Sequence, residues 1–257
     1  MSTLAMLALA TTHAALRARP AQRLLRSRQR LLQASVARGG ASVQRIYELA
    51  AAGDLRGTME LMDLLTAADV GMDPYATLPP GSPVGYQHVY KDAELSMGIF
   101  VIPAGGSIPL HDHPGMTVLS KLIFGTLRVT AYDLPEAGAA DSVPGLSSIF
   151  GGAARRTRSL HVGAPEQSGV SAPCTTLRLD AHHRNIHQFE ALQDTAIFDV
   201  LTPPYDDFAG RSCHYYEASA DGTELREVGW PPELRVVSSE YCGPRVVVGG
   251  KGRKGFV

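Results

Sequence analysis

The stretch His111-Asp112-His113-Pro114-Gly115 decides how this chain reads, and it lies between two strand-like runs, residues 95–102 and 117–132. Residues two apart on a strand project to the same face. A His-x-His pair there aims two imidazoles at one point, which is what a divalent metal needs. Gly105 lies six positions before His111, and Gly125 closes the following hairpin at Phe124-Gly125-Thr126.

Glycine turn, His-x-His, glycine turn resembles the first half of a cupin metal site. Many cupins supply a Glu ligand a few residues after the second His. Here that place reads Thr117-Val118, so the site is expected to be built from histidines alone.

Size and charge bound the rest. At 257 residues with 44% apolar content, the chain suits one β-barrel domain with extensions. Lysine plus arginine number 24 and acids 25. Residues 1–40 carry Arg17, Arg19, Arg23, Arg26, Arg28, Arg30 and Arg38 and no acid. Setting those seven aside leaves 17 basic residues against 25 acidic. The body is therefore acidic, which argues against a nucleic-acid-binding face. Cys174, Cys213 and Cys242 form an odd set without a Cys-x-x-Cys pair, pointing to a reducing compartment rather than a disulfide framework. No apolar run reaches the 18 or so residues of a membrane span, so no integral membrane segment is expected.

Residues 1–40 have the composition of an organellar transit peptide, or of a disordered extension without an address. The protein is expected in the cytoplasm or nucleus, or in a plastid or mitochondrion if that segment is an address. Val43, Ile46, Leu49 and Ala50 recur at helical spacing behind Ser42. Met59, Met62, Leu65 and Val70 form a second apolar set ending at Gly71 and Asp73-Pro74. Both helices are expected to pack on the outside of the barrel. From Tyr86 the pattern turns to short β runs: 95–102, 117–124, 126–132, 175–179, 186–189, 195–201 and 245–248. Residues 134–173, rich in Gly, Ala, Ser and Pro, are expected to form a long surface loop, and 250–257 a flexible basic tail. The domain is thus expected over residues 41–249: mainly β, a cupin (double-stranded β-helix or jelly-roll barrel) with N-terminal helices.

A third ligand must come from the second half, where His182, His183 and His187 are available. His187 shares a short run with Ile186 and Phe189, so a strand with the ring inward is expected. His182 and His183 sit in a polar turn, where side chains ordinarily face solvent. His187 is preferred. Three neutral imidazoles leave a divalent metal its full charge and open positions on one side, suited to an anionic thiolate. Imidazole itself does not select among iron, zinc, copper and nickel. Asp112, between the two ligands, is expected to face the other side of the strand in a structural role.

Over about residues 42–248 the chain resembles the thiol dioxygenases of the plant cysteine oxidase and cysteamine (2-aminoethanethiol) dioxygenase family. The resemblance rests on Val43-Gln44-Arg45-Ile46-Tyr47, the segment 108–114, Met116-Thr117-Val118, Ser120-Lys121-Leu122, Phe124-Gly125-Thr126 and Tyr132-Asp133. It continues through Asn185-Ile186-His187, Asp199-Val200-Leu201, Pro203-Pro204-Tyr205 and Cys213-His214-Tyr215-Tyr216. It implies that His111, His113 and His187 bind Fe(2+), and that Asp199 lies near the iron and Tyr205 by the substrate pocket. Cys213 and Tyr215 match a pair that cysteamine dioxygenase can join covalently. On physical grounds an Asp in the apolar run Ile197-Phe198-Asp199-Val200-Leu201 needs a partner if buried. A substrate ammonium, a ligand imidazole N–H or loop backbone would serve.

The implied reaction uses O2 to convert a thiol to a sulfinic acid, with the thiol supplying all four electrons. The implied substrate is an N-terminal cysteine of a protein or peptide, in an oxygen-sensing role that marks proteins for arginylation and degradation. Alternatives are a cysteamine or free-cysteine dioxygenase, and a non-enzymatic metal-binding cupin module. The protein is expected to be a monomer.

Overall fold

The computed structural model describes residues 42–134 and 159–248. The extension 1–40, most of the stretch 134–173 and the tail 250–257 lie outside the described residues.

Two short helices lead in. Helix α1 (Val43–Ala51) buries Val43, Ile46 and Ala50, one stripe of a 3.6-residue period. Helix α2 (Leu55–Met62) starts at Asp54, whose carboxylate accepts from Gly57 N at 2.9 Å. A Cβ on Gly57 would sit 2.5 Å from that carboxylate, so glycine there makes room for the cap. Ser42 occupies the N-cap position of α1 but makes no side-chain cap.

The strands are β1 (Val84–Lys91), β2 (Ser96–Ile102), β3 (Ser107–His111), β4 (Thr117–Phe124), β5 (Thr126–Tyr132), β6 (Ser159–His161) and β7 (Glu166–Ser171). They continue as β8 (Leu177–Leu179), β9 (Ile186–Ala191), β10 (Thr195–Thr202), β11 (Tyr215–Ala218), β12 (Glu224–Val228) and β13 (Val236–Ser239). One sheet has the order β13-β1-β2-β10-β4-β8 and the other β6-β12-β11-β3-β9-β5-β7. From β2 to β5 each successive strand joins the opposite sheet, and β9 and β10 do the same. This winding is the double-stranded β-helix expected from the sequence.

The first sheet is covered on both faces. Its outer side packs Met97, Ile99, Leu119, Phe198 and Val200 against the helices. Its inner side packs Ile102, Leu122 and Ile197 against Ile108, Val129 and Phe189 of the second sheet. Double coverage explains why β10 is buried from Thr195 to Val200 without a polar face. Alternation along β10 sends Phe198 and Val200 outward, and therefore Asp199 inward. On β4 it sends Lys121 outward, where its ammonium donates to the carbonyls of Asp63, at the end of α2, and of Cys174. A cation at a helix C-terminus is stabilised by the unpaired carbonyls there.

Several expectations change. Gly125 does not close a hairpin: β4 and β5 lie in different sheets, and the glycine turns the corner between them. Its φ is +91°, and a Cβ would lie 2.4 Å from the Asp194 carbonyl oxygen. The stretch expected as a surface loop contributes β6 and β7, with β7 pairing along β5. Residues 245–248 form no strand; the Val247 backbone is instead held at both its N–H (2.7 Å) and its carbonyl (3.0 Å) by Gln44. Among the described residues no helix is long and apolar enough to cross a membrane.

Candidate metal centre

His111 ends β3 and stands directly opposite His187 of β9 in the ladder. Asp112 and His113 lie beyond the strand. The two-residue strand period is thus broken after His111, and the second imidazole is brought round by other contacts. Asn185, fully buried, grips the His113 peptide from both sides. Its amide donates to His113 O at 2.8 Å and its oxygen accepts from His113 N at 3.1 Å. The result is a triangle of rings, with centroid separations of 4.9 Å (His111–His113), 4.7 Å (His111–His187) and 5.0 Å (His113–His187). One ligand atom from each lies within 4.8 Å of the others, so the three could hold a metal ion.

The hydrogen bonds fix which nitrogen faces the centre. His111 Nδ1–H donates to Pro109 O at 2.8 Å. The Tyr205 hydroxyl donates to Asp112 O at 2.6 Å, which leaves it to accept from His113 Nδ1–H at 2.8 Å. With Nδ1 occupied in both rings, Nε2 is the free nitrogen. His113 Nε2 is buried and has no hydrogen-bond partner. An orphaned buried acceptor costs about 1–3 kcal/mol, and a metal ion would satisfy it. Burial holds His113 and His187 well below the ordinary imidazole range, and each also feels the neighbouring His111. His111 is lowered by burial as well, against the opposing pull of the Pro109 carbonyl and Asp112. Burial thus favours the neutral form of all three imidazoles, the form that can ligate, and the residues present fit a divalent metal.

These rings line a cavity of about 350 Å³. Asp199 enters it from β10, level with Gly98 of β2 and Ser120 of β4. It is 6% exposed and its Oδ1 has no partner. Burial pushes its carboxyl up to about 7, opposed by a hydrogen bond from Ser120. Tyr86 of β1 lies over Gly98, where a Cβ would sit 2.6 Å from its ring. Burial, and then the Asp199 charge, raise the Tyr86 phenol.

Cys213 also lines the cavity, beside Tyr205 and Tyr215. Burial pushes its thiol up to about 11, so it stays protonated and does not present a second thiolate to the centre. Tyr215 stands opposite His111 in the β11–β3 ladder. His182 and His183 are exposed, and His183 pairs with Asp133 on the surface at 3.0 Å. Asp112 faces away from the cavity, where it accepts from the backbone N of His214 (2.8 Å), His214 Nδ1 (3.0 Å) and the Tyr216 hydroxyl (2.9 Å).

The seven residues singled out by the resemblance, His111, His113, His187, Asp199, Tyr205, Cys213 and Tyr215, all line this cavity, whereas His182, His183 and Asp112 do not. Sequence reasoning missed Asn185 as the clamp on His113, although it stands two residues before His187. It also missed Tyr86, Gly98 and Trp230 in the cavity wall. Of these only Trp230, the single tryptophan of the chain, carried a signal.

The PCO_ADO family model matches residues 61–246. The chain is 34% identical over 215 residues to 2-aminoethanethiol dioxygenase of Homo sapiens, covering 72% of this chain and 78% of that one. It is also 34% identical over 212 residues to plant cysteine oxidase 2 of Arabidopsis thaliana, covering 72% and 71%. Among solved structures, an RmlC-like cupin protein from Desulfovibrio desulfuricans is 14% identical, with a TM-score of 0.32 over 51% of this chain and 92% of that chain.

Proposed function

The chain belongs to the PCO_ADO family, and on that premise we propose that it is an Fe(II)-dependent thiol dioxygenase. We infer that its substrate is an N-terminal cysteine of a protein or peptide, and that residues 41–249 are the catalytic domain. The observation that carries the reading is the buried, unpartnered Nε2 of His113 in a triangle of neutral imidazoles that opens on a cavity.

His111, His113 and His187 would hold the iron. When bound, Fe(II) supplies a redox-active, Lewis-acidic centre whose charge no carboxylate ligand has offset, suited to a thiolate and to O2. The reaction is R–SH + O2 → R–SO2H: both oxygen atoms go to sulfur, which gives up four electrons, and the proton is retained by the sulfinic acid or released to water. No external reductant enters.

The chain's own groups have distinct tasks. Tyr205 orients His113 by accepting its Nδ1–H. Asp199 would receive the substrate's ammonium on its unpaired oxygen, and that pairing would offset the burial that raises its carboxyl. Cys213 and Tyr215 adjoin, which supports a thioether between them; its formation would break the S–H and one ring C–H bond, form a C–S bond, and pass two electrons and two protons to O2 as hydrogen peroxide.

O2 uptake by the iron-loaded protein, compared for a Cys-initiated peptide, free cysteine and cysteamine, tests the reading. The expected result is uptake with the peptide and a product heavier by two oxygen atoms. Uptake with cysteamine or free cysteine alone would assign the enzyme to small thiols. Uptake with none would leave a binding module.

A further inference from the structure

Trp230 lines the same cavity yet is 62% exposed, so it stands at the mouth. A large aromatic left in water forgoes the stabilisation of burial, and such a residue beside a cavity marks a contact surface. Trp230 is not a loose side chain. Its Nε1–H donates to Leu234 O at 3.1 Å, across the Pro231-Pro232 turn. Its ring meets Tyr215 edge-on, with centroids 5.3 Å apart and planes at 68°. Tyr215 in turn lies 6.3 Å from the ring of His111. Three rings thus form one wall, from the candidate metal centre to solvent, and its outer member is fixed before any ligand arrives. A fixed aromatic surface binds at low entropic cost.

The cavity is larger than a small aminothiol requires. At about 350 Å³ it falls among pockets of roughly 300–1,000 Å³, which hold drug-sized ligands. Cysteamine, with only four non-hydrogen atoms, would occupy the inner end between Asp199 and the imidazoles. The outer part, between Trp230 and Val236, would stay unfilled.

We propose that Trp230 is a specificity-determining residue whose indole receives the residue following the substrate's N-terminal cysteine, so that peptides are favoured over free aminothiols. The inference rests on the thiol dioxygenase reading and deepens it by assigning a subsite beyond the reacting sulfur.

Steady-state kinetics of the iron-loaded wild type and Trp230→Ala, with a Cys-initiated pentapeptide and with cysteamine, test it. The expected result is a KM for the peptide raised about tenfold more than that for cysteamine, close to 1.4 kcal/mol, with the loss in KM rather than kcat. An equal effect on both substrates would overturn the proposal. Because Trp230 is the only tryptophan, a second readout needs no turnover. Titrating wild type with a Ser-initiated analogue of the peptide should change indole emission saturably, and an unchanged emission would count against the subsite. Uptake with both thiols and no selective effect of Trp230→Ala sinks this inference alone. No uptake with any thiol sinks the functional reading and this inference with it.

Discussion

Asp112 and His214 lock the back of the turn between His111 and His113: one carboxylate accepts from both the backbone N (2.8 Å) and the ring Nδ1 (3.0 Å) of His214. The Tyr216 hydroxyl adds a third bond at 2.9 Å. The carboxylate is buried between two proposed ligands, so it ties their turn to β11. Asp112→Asn would weaken these bonds without changing shape. The expected outcome is a metal affinity reduced by less than the roughly 10–100-fold that removing a ligand's own outer partner costs, because Asp112 positions the turn and touches no ligand ring. Competition with a chelator, comparing variant and wild type, checks it.

Tyr205 acts on His113 from the other side. Tyr205→Phe removes the acceptor for His113 Nδ1–H and the donor to Asp112 O. The ring would then be free to turn Nε2 away from the other two imidazoles. A loss of metal affinity of about tenfold or more is expected in the same chelator competition. Retained affinity with normal turnover would show that packing alone holds the ring.

Asp199 gives a pH signature. Its folded carboxyl titrates near 7, raised from 3.8 by burial. Between those values the folded protein keeps a proton that the unfolded chain has lost. Its contribution to stability is therefore full below about pH 4 and is lost as pH rises to 7, a span on the order of 4 kcal/mol. Denaturant unfolding of metal-free wild type, measured against Asp199→Asn from about pH 5 to 8, should show wild type losing stability relative to the variant. A difference independent of pH would contradict this. In the iron-loaded enzyme the same variant should keep its metal but turn over slowly.

Thiol reactivity separates the cysteines. The Cys213 thiol, buried and pushed up to about 11, stays protonated at neutral pH, whereas Cys242 is exposed. Alkylation of native protein followed by peptide mapping should modify Cys242 and spare Cys213. A Cys213 peptide that rapidly gains the alkyl adduct would contradict the buried thiol.

Much of the fold was legible because its central strands announce themselves. The runs at β4, β5 and β10 are long, apolar and rich in β-branched residues, and their boundaries fell within a residue of expectation. Strands β1, β6, β7, β11, β12 and β13 were not among the expected runs. They are short or partly exposed, and their pairing partners, not their own side chains, make them strands. The three histidines that could hold a metal ion were readable as candidates since few other roles suit a His-x-His pair flanked by turns. What held them was hidden: Asn185 reaches His113 across 72 positions, and nothing in its local pattern reveals the contact. Trp230 is the chain's one tryptophan, and its position at the mouth comes from the tertiary fold alone.

The most direct measurement of the central claim is iron content, together with O2 uptake on a Cys-initiated peptide, for wild type and His187→Ala purified in parallel. Wild type is expected to carry a single iron per chain and to consume O2, while the variant loses both. A variant that keeps its iron and its O2 uptake would remove His187 from the centre and contradict the three-imidazole account.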